Sequence, residues 1–419
     1  MTFDTEFVRK QFPSLKSGAV FFDNPGGTQI AKPALDRLNA YLLETNANHG
    51  GAFPTSEASD AILQAAHQAM ADLLNAHSPD EIIFGPNMTT LTLSLSRAIG
   101  STLNVGDELV VTRLDHDANI SPWLRVAEDS GATVRWVDFD TETCTLSADS
   151  LAGAINDRTR LVAVGYASNA VGTINPVADI VRLAHEAGAL CFVDAVQYAP
   201  HRLIDVQALD CDFLAVSAYK FFGPHVGALY GKRDLLESIP AYKVRPAPDQ
   251  PPGKFETGTQ NHEGIAGTLG AIEYLADLGH RFGESLTAAD DMEVRAQRRE
   301  LKAGMATIEQ YERQLTAELL EALAGIPEAH VYGLTDLADL NRRVPTVSFR
   351  LQGIEPRTVA SALGQMGVYV WDGNFYALAV TERLELEESG GLIRVGLAHY
   401  NTSDEIDQLA DGLHTILAG

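Results

Sequence analysis

The chain has very few cysteines and a shortage of cations. Its 419 residues include only three cysteines, Cys144, Cys191 and Cys211. Their spacing shows no pair of the kind that binds zinc, and three is too few for a disulfide framework. Cys191 and Cys211 stand in apolar runs, which predicts that they are inert residues of the core.

The charge balance is strongly acidic. Lys and Arg together number 31, against 56 Asp and Glu, which gives a formal net charge of −25. This charge argues against nucleic acid or an anionic membrane surface as a partner. An anionic substrate or a phosphate group would therefore need cations placed locally around its binding site.

The chain also lacks a long apolar run, so the sequence contains no candidate membrane span. The N-terminal residues 1–6 are acidic and do not have the basic and apolar regions of a signal peptide. We therefore expect a cytoplasmic protein. The length is sufficient for two domains with sizeable cores.

Short apolar runs alternate with segments of helical periodicity between residues 80 and 231. This alternation predicts an α/β fold with a mostly parallel sheet and helices on both faces. Residues 262–324 read as largely helical, and the strand candidates 345–349, 367–370 and 392–396 predict a smaller α+β domain. We expect an N-terminal segment (1–20) packing on the small domain, a large ligand-binding domain (21–265) and a small C-terminal domain (266–419).

Two charged residues stand at the ends of apolar runs. The run 212–216 leads to Ser217 and Lys220, and the run 190–193 ends in Asp194. Ligands of open α/β sheets bind at the carboxyl ends of the strands, where desolvation can lower the pKa of a lysine. A pyridoxal phosphate (PLP) site needs such a pair, because the aspartate keeps the pyridine nitrogen protonated and the lysine carries the cofactor as a Schiff base.

A third feature suits the phosphate of such a cofactor. The strand candidate 81–84 is followed by a turn and a helical segment that begins near Met88 and Thr89. A helix N-terminus presents free N–H groups and a positive potential. Thr89 or Thr90 is equally compatible with a simple N-cap.

The segments 193–197 and 217–220 together resemble the class V aminotransferase superfamily of PLP enzymes, and within it the branch of cysteine desulfurases and selenocysteine lyases. The resemblance extends from residue 21 to residue 402 and implies the PLP-dependent transferase fold type I, with a seven-stranded type of sheet. It also implies that His116 stacks on the cofactor ring and relays protons. The cofactor contacts that it implies are Met88, Thr89, His116, Asn169, Asp194, Gln197, Ser217, Tyr219 and Lys220.

The resemblance further implies where the substrate and a second subunit bind. Arg394, in the strand candidate 392–396, corresponds to the arginine that holds the substrate carboxylate. Asn24 and Tyr376 are the other substrate contacts that we expect. Thr259 corresponds to a threonine that reaches the partner's phosphate, which implies a homodimer with shared sites.

The chain departs from the resemblance at one chemically important position. The branch carries a catalytic cysteine in a loop before the arginine strand, and Tyr376 stands at that position here. No cysteine occurs after Cys211, and a phenol cannot take up sulfur as a thiolate does. Tyr219 likewise replaces the histidine that usually precedes the Schiff-base lysine.

Three functions remain open from the sequence. The first is a desulfurase-like lyase that acts on a sulfur-containing amino acid, with β-elimination or a desulfurase-related reaction as its chemistry. The second is a class V aminotransferase or an amino-acid epimerase. The third is a protein that binds PLP without catalysis.

Overall fold

A seven-stranded sheet forms the centre of the protein. The structure, a computed structural model, describes residues 3–283 and 295–419. Most of its strands are rich in Val, Ile, Leu and Phe and are buried along nearly their whole length, as expected for strands covered on both faces. The edge strand Thr133–Val137 is the exception, since only Val137 is buried. In spatial order the strands are Ile82–Gly85, Gly227–Gly231, Phe213–Ser217, Leu190–Asp194, Thr159–Gly165, Glu108–Thr112 and Thr133–Val137.

The sheet is mostly parallel, as the sequence predicts. The five strands from Phe213–Ser217 to Thr133–Val137 run parallel to one another. Gly227–Gly231 is antiparallel to both of its neighbours. The carboxyl ends of the parallel strands therefore meet at one edge, where the strand order also reverses around Glu108–Thr112 and Thr159–Gly165.

Helices cover both faces of this sheet. Alternate residues of one strand enter different cores: Val162 and Val164 pack into one cluster, and Leu161 and Ala163 pack into the other. The first face is covered chiefly by the helices Pro54–Leu74, Val177–Glu186, His262–Phe282 and Ala296–Ala324. The opposite face is covered by Met88–Gly100, Ser121–Ser130 and Arg233–Ser238.

A second, smaller sheet is antiparallel throughout. Its strands in spatial order are Ala329–Tyr332, Thr346–Leu351, Leu392–Gly396 and Trp371–Gly373. The strand predicted near 367–370 does not join it: Val368–Tyr369 pairs instead with Val20–Phe21 in a two-stranded ribbon. A further ribbon joins Phe139–Asp140 to Thr145–Leu146. The remaining α-helices are Thr5–Lys10, Lys32–Ala40, Ala148–Ala154, Val206–Leu209, Pro356–Gln365, Leu378–Arg383 and Ser403–Ala418.

The helical prediction for 262–324 holds for the helices His262–Phe282 and Ala296–Ala324, and residues 284–294 of that stretch lie outside the described residues. The apolar stripe of the second helix is buried from Met305 to Leu323, except for the half-buried Tyr311. The N-terminal segment contacts both regions, since Phe12 packs into the core of the large sheet and Arg9 pairs with Glu405. The division into these three domains stays a prediction.

No helix in residues 3–283 and 295–419 combines the length and the apolar character that crossing a bilayer requires. All three cysteines are buried, and burial raises the pKa of the Cys191 and Cys211 thiols, in agreement with the prediction that these two are inert.

Candidate active site

A cavity of about 850 Å³ opens at the carboxyl edge of the large sheet. It lies at the point where the strand order reverses, which is where open α/β sheets bind their ligands. Loops of the large sheet form one wall, and residues 371–376 and the strand Leu392–Gly396 of the small sheet form the other. The residues predicted from sequence that line it are Met88, Thr89, His116, Asn169, Asp194, Gln197, Ser217, Tyr219, Lys220, Tyr376 and Arg394.

Lys220 lies at the bottom of this cavity. The strand Phe213–Ser217 ends in a short 3-10 turn that carries the lysine, and only 8% of the residue is exposed. Its Nζ donates to the carbonyl oxygen of Pro25. Burial, reinforced by the positive charge of Arg394, lowers the pKa of Lys220 to about 7. The amine is therefore available as a nucleophile or a base near neutral pH.

Asp194 faces the same space from the end of the adjacent parallel strand. Its Oδ1 accepts a hydrogen bond from the backbone N–H of Val196 at 2.9 Å. Burial raises the pKa of Asp194 to about 6. Behind it lies Asp115, which accepts from Thr112 Oγ1 and the Gly165 N–H, and burial raises its pKa to about 7. A cationic group bound beside Asp194 would favour its ionised form.

His116 begins the loop after the strand Glu108–Thr112. Its Nδ1 accepts from the backbone N–H of Ala118 at 3.0 Å, which fixes the orientation of the ring. Burial, with the nearby charges of Lys220 and Arg394, lowers the pKa of His116 to about 4. The imidazole is therefore neutral at physiological pH. Its ring stacks on that of Tyr376, with centroids 5.7 Å apart and an interplanar angle of 21°.

The helix Met88–Gly100 points its N-terminus at the cavity. The N-cap is Asn87, whose Oδ1 accepts from the Thr90 N–H at 2.8 Å, so the expectation of a threonine N-cap is wrong. The Met88 N–H donates to Ser217 Oγ at 3.3 Å. A Cβ atom on Gly227 would lie 2.4 Å from the Asn87 carbonyl carbon, so only glycine lets this strand approach the helix start so closely.

Asn169 and Gln197 present unpartnered oxygens. Asn169 Nδ2 donates to the carbonyl oxygen of Phe375 at 2.9 Å, and Gln197 Nε2 donates to Thr346 Oγ1 at 3.0 Å. Among the described residues no group bonds to Asn169 Oδ1 or Gln197 Oε1, although both atoms are buried. Each side-chain amide also keeps a second N–H. Buried polar atoms without partners indicate that something else binds here.

Arg394 enters the cavity from the small sheet. Its Nη1 donates to the carbonyl oxygen of Asn169 at 2.9 Å, and its guanidinium lies 4.2 Å from the centre of the Phe375 ring. Its Nε has no partner among the described residues. Burial lowers the pKa of Arg394 to about 9, which the nearby carboxylate of Asp23 partly offsets. A carboxylate ligand would satisfy this buried cation.

Tyr219 adds an aromatic wall beside the lysine. Its ring lies 5.0 Å from Lys220 Nζ and stacks on His225 at the same centroid distance, 5.0 Å. Burial raises the pKa of the Tyr219 phenol. His225 is exposed and is not among the residues that line the cavity, so Tyr219 is the aromatic neighbour of the lysine at this site.

The loop that contains Tyr376 is anchored at several points. The carbonyl oxygen of Tyr376 accepts from the Asp117 N–H at 2.7 Å, and Asn374 Nδ2 donates to Glu387 Oε1 at 2.9 Å. Phe375 and Tyr376 both have φ near 58°, a left-handed conformation that is strained for such side chains. The Tyr376 side chain is 76% exposed.

Two of the predicted residues do not line the cavity. The Asn24 amide donates to the Gly396 carbonyl oxygen at 2.8 Å and to Asn401 Oδ1 at 3.0 Å, and its own Oδ1 accepts from the Tyr400 hydroxyl. These hydrogen bonds connect the segment around residue 24 to the small sheet, so the Asn24 side chain has a structural role. Thr259 lies in an exposed turn away from the cavity of its own chain.

The sequence reasoning missed two residues at this site. Asp23 lies close enough to Lys220 and Arg394 to affect the pKa of both, and its Oδ1 is buried without a partner among the described residues. Trp371 lines the cavity mouth, and the strand register places it opposite Arg394. Nothing in the local sequence of either residue signals this proximity.

The chain is similar to a known family and to known proteins. Residues 20–294 and 299–409 match the family described as "Aminotransferase class-V". The chain is 35% identical to the aminotransferase-like protein FGM3 of Gibberella zeae, over 99% of each protein. It is 31% identical to a cysteine desulfurase of Pectobacterium atrosepticum, over 99% of this chain and 98% of that protein.

Solved structures show the same relationship. The apo cysteine desulfurase of Thermococcus onnurineus NA1 superposes with a TM-score of 0.86 at 26% identity, covering 100% of this chain and 99% of that one. The cysteine desulfurase CsdA of Escherichia coli superposes with a TM-score of 0.83 at 27% identity, with the same coverage. The chain therefore belongs to the class V aminotransferase family of PLP-dependent enzymes, with the fold of the cysteine desulfurases.

Proposed function

We propose that this enzyme is a C–S lyase that removes a sulfur-bearing group from an amino acid by β-elimination. The observation that carries the proposal is the composition of one cavity: buried Lys220, Asp194 and Arg394 converge there, and Tyr376 stands at the position expected for a catalytic cysteine. The first three residues suit proton removal from an amino acid. The fourth cannot accept sulfur.

The cavity fits PLP. Lys220 is a buried amine with a lowered pKa, and the unpartnered buried oxygens of Asn169 and Gln197 belong to side-chain amides that also keep free N–H groups. The N-terminus of the helix Met88–Gly100 supplies N–H groups and a positive potential for a phosphate. We assign Lys220 to the cofactor aldehyde, Asp194 to its pyridine nitrogen, and Asn169 with Gln197 to its phenolate oxygen.

The roles of the protein groups follow from their surroundings. Bound PLP supplies an electron sink that acidifies the Cα–H of the substrate. Arg394 binds the α-carboxylate and fixes the orientation of Cα. Lys220, whose pKa of about 7 leaves much of it unprotonated at neutral pH, accepts the Cα proton. Neutral His116 lines the cavity, where its imidazole is available for proton transfer.

The second half of the reaction depends on what leaves Cβ. A thioether or disulfide substituent can depart with the electron pair of the C–S bond and take up a proton. Hydrolysis of the remaining three-carbon fragment consumes one water and gives pyruvate and ammonium. Without a thiolate at position 376 no protein persulfide forms, so the sulfur is released as a thiol, a persulfide or sulfide according to the substrate.

A second candidate function is amino transfer or epimerisation. The observation that favours it is the lack of any cysteine after Cys211, because neither reaction needs a sulfur acceptor. In this case Lys220 would return the proton to the substrate or to the cofactor carbon without loss of a Cβ substituent.

We also propose a homodimer in which Thr259 completes the partner's site. The exposed turn around Thr259 does not reach the cavity of its own chain, which supports this proposal. A mixture of Lys220→Ala and Thr259→Ala chains tests it. If Thr259 serves the partner's site, mixed dimers regain one intact site and activity returns. If it serves no site in the partner, mixing restores nothing.

The deciding experiment for the reaction is product analysis with L-cysteine and L-cystine. We expect pyruvate and ammonia from the PLP-loaded enzyme. Alanine with sulfide or persulfide would establish desulfuration instead. Amino-group exchange with a 2-oxo acid, or racemisation without elimination, would establish the second candidate.

A further inference from the structure

Trp371 is the immediate cross-strand neighbour of Arg394. The strands Trp371–Gly373 and Leu392–Gly396 are antiparallel, and their register pairs Trp371 directly with Arg394. Residues directly opposite each other in an antiparallel pair project from the same face of the sheet. Trp371 and Arg394 therefore project from the same face of the small sheet, and both residues line the cavity.

The indole is held in place at the mouth of the cavity. A Cβ atom on Gly26 would lie 2.3 Å from Trp371 Nε1, so the indole packs directly against the glycine backbone. Trp371 is nevertheless 47% exposed. One part of the ring is thus packed on protein, and the other remains open to a ligand.

Aromatic rings continue along the same wall. Phe375 lies under the Arg394 guanidinium, and Tyr376 stacks on His116. The strained backbone of residues 375 and 376 is held by the Asn169 amide, which donates to the Phe375 carbonyl oxygen. Strain of this kind persists where a site requires it. Phe375 is buried, whereas Trp371 and Tyr376 are both exposed and both line the cavity.

The cavity is also large for cysteine. Its volume of about 850 Å³ is near the upper end of the roughly 300–1,000 Å³ range of small-molecule sites. Cysteine has only seven non-hydrogen atoms. Trp371 and Tyr376 line the same cavity as Arg394, so a substrate held by Arg394 has aromatic side chains within the same space.

We propose that Trp371 is a specificity-determining residue, and that the site takes an amino acid whose sulfur carries a bulky, flat, unsaturated or aromatic group. The indole and the Tyr376 ring form the surface against which this group packs. The Cβ–S bond breaks as described above, and the aromatic group leaves on the thiol. The inference rests on the proposed C–S lyase function and names its substrate class.

The test compares S-benzyl-L-cysteine with S-methyl-L-cysteine as substrates of the PLP-loaded enzyme. We expect kcat/KM to favour the benzyl compound by about tenfold or more, the size of effect that aromatic packing and burial give. Trp371→Leu should lower kcat/KM for the benzyl compound about tenfold more than kcat/KM for the methyl compound. Trp371→Phe should restore most of the preference.

Tyr369→Leu is the matched control. Tyr369 is a similarly exposed aromatic residue of the preceding ribbon, packs against Phe21 and does not line the cavity. We expect this variant to keep the substrate preference. An equal preference for both thioethers in the wild type, or a benzyl preference unchanged in Trp371→Leu, would overturn the inference and leave the lyase function standing.

A binding measurement separates failure of the inference from failure of the proposed function. L-phenylalanine and L-alanine are titrated into the PLP-loaded enzyme, and their Kd values are read from the change in cofactor absorbance. We expect tighter binding of L-phenylalanine in the wild type and loss of that difference in Trp371→Leu. Absence of thiol and pyruvate from both thioethers would refute the lyase function, and the Kd ratio would still decide the role of Trp371.

Discussion

The two walls of the cavity differ in how they are built. The wall from the large sheet carries Lys220, Asp194 and His116 in short turns at the ends of buried parallel strands. The opposite wall carries Trp371 and Tyr376 in an exposed strand and a strained loop of the small sheet. Most of the residues that resemble the family stand in the first wall, where Tyr219 is the departure, whereas the second wall keeps Arg394 and departs at Tyr376.

This difference has a physical basis. A turn pinned between buried parallel strands holds a side chain within narrow limits, as proton transfer requires. An exposed loop tolerates substitution, so it can change the shape of the substrate pocket without disturbing the cofactor residues. We therefore expect substitutions in the wall of the large sheet to change the reaction rate, and substitutions at Trp371 or Tyr376 to change the choice of substrate.

The largest expected effect is on the wall of the large sheet. Lys220→Ala should lower turnover by about 10⁴-fold or more and abolish the cofactor's covalent attachment, because the residue is both the attachment point and the proton acceptor. Product formation and mass spectrometry after borohydride reduction check this. Lys254 is a matched control, since it is equally buried but donates to the carbonyl oxygens of Leu236 and Glu237. A Lys220→Ala enzyme with near-normal turnover would contradict the site assignment.

The next largest effect is expected at Arg394, which links the two walls because it belongs to the small sheet and donates to the carbonyl oxygen of Asn169. Arg394→Lys keeps the charge but loses the planar fork that binds a carboxylate, so kcat/KM should fall by about 100-fold, mainly through KM. Steady-state kinetics with the preferred amino acid measure the change. Arg350→Lys in the neighbouring strand is the control, because Arg350 bonds to Ser389 outside the cavity. A fall of equal size in both variants would indicate a structural defect of the small sheet.

The lowered pKa of Lys220 gives a prediction for pH. The free amine captures the cofactor, and its fraction rises as pH passes the folded-state pKa of about 7. The rate at which cofactor-free protein takes up PLP should therefore rise roughly 100-fold between pH 5 and pH 8 and then level off. Stopped-flow absorbance measures this rate. A rate that continues to climb through pH 9 would mean that the lysine keeps an ordinary pKa.

The same shift affects stability in a defined direction. Between pH 7 and the ordinary lysine pKa of 10.5, the unfolded chain binds a proton at Lys220 that the folded chain does not. The free energy of unfolding of the cofactor-free protein should therefore rise with pH across this window. Urea denaturation at pH 7 and pH 9 checks the sign, and Lys220→Met, which cannot titrate, should lose this part of the pH dependence.

The smallest effect is expected at Tyr376. Tyr376→Phe keeps the ring that stacks on His116 and should change turnover by about threefold, the size of one hydrogen bond. Tyr376→Cys should add a small yield of alanine from L-cysteine, because it places a thiol at the position of the missing nucleophile. Separate quantification of alanine and pyruvate checks both variants. An inactive Tyr376→Phe enzyme would assign the phenol to catalysis instead of to the pocket wall.

Prediction from sequence succeeded where a residue follows a strong local pattern. Lys220, Asp194 and Arg394 each belong to, or directly follow, a continuous apolar run, and such runs become buried strands almost regardless of context. The strand that precedes Met88 predicts its place in the same way, and the resemblance to the family supplies His116. All five line the same cavity, as expected if their strands share one edge.

Prediction was less successful where proximity depends on packing between distant segments. Asn24 looks like a ligand in a turn, but its amide binds the Gly396 carbonyl oxygen and the Asn401 side chain. Asp23 acquires its charged neighbours only because this turn packs under the strand of Arg394. No local pattern in the sequence shows that Asn24 has a structural role whereas Asp23 lies near the charges of Lys220 and Arg394.

The sequence by itself determined the α/β class, the parallel sheet and the residues of its carboxyl edge, because hydrophobic periodicity and strand-end position are local properties of the chain. Only the tertiary structure decided which face of the small sheet meets that edge. The register of two antiparallel strands places Trp371 beside Arg394, and a slip of one residue would turn the indole to the opposite face. Which side chain stands next to Arg394 in the cavity wall therefore depends on strand register, which no single segment encodes.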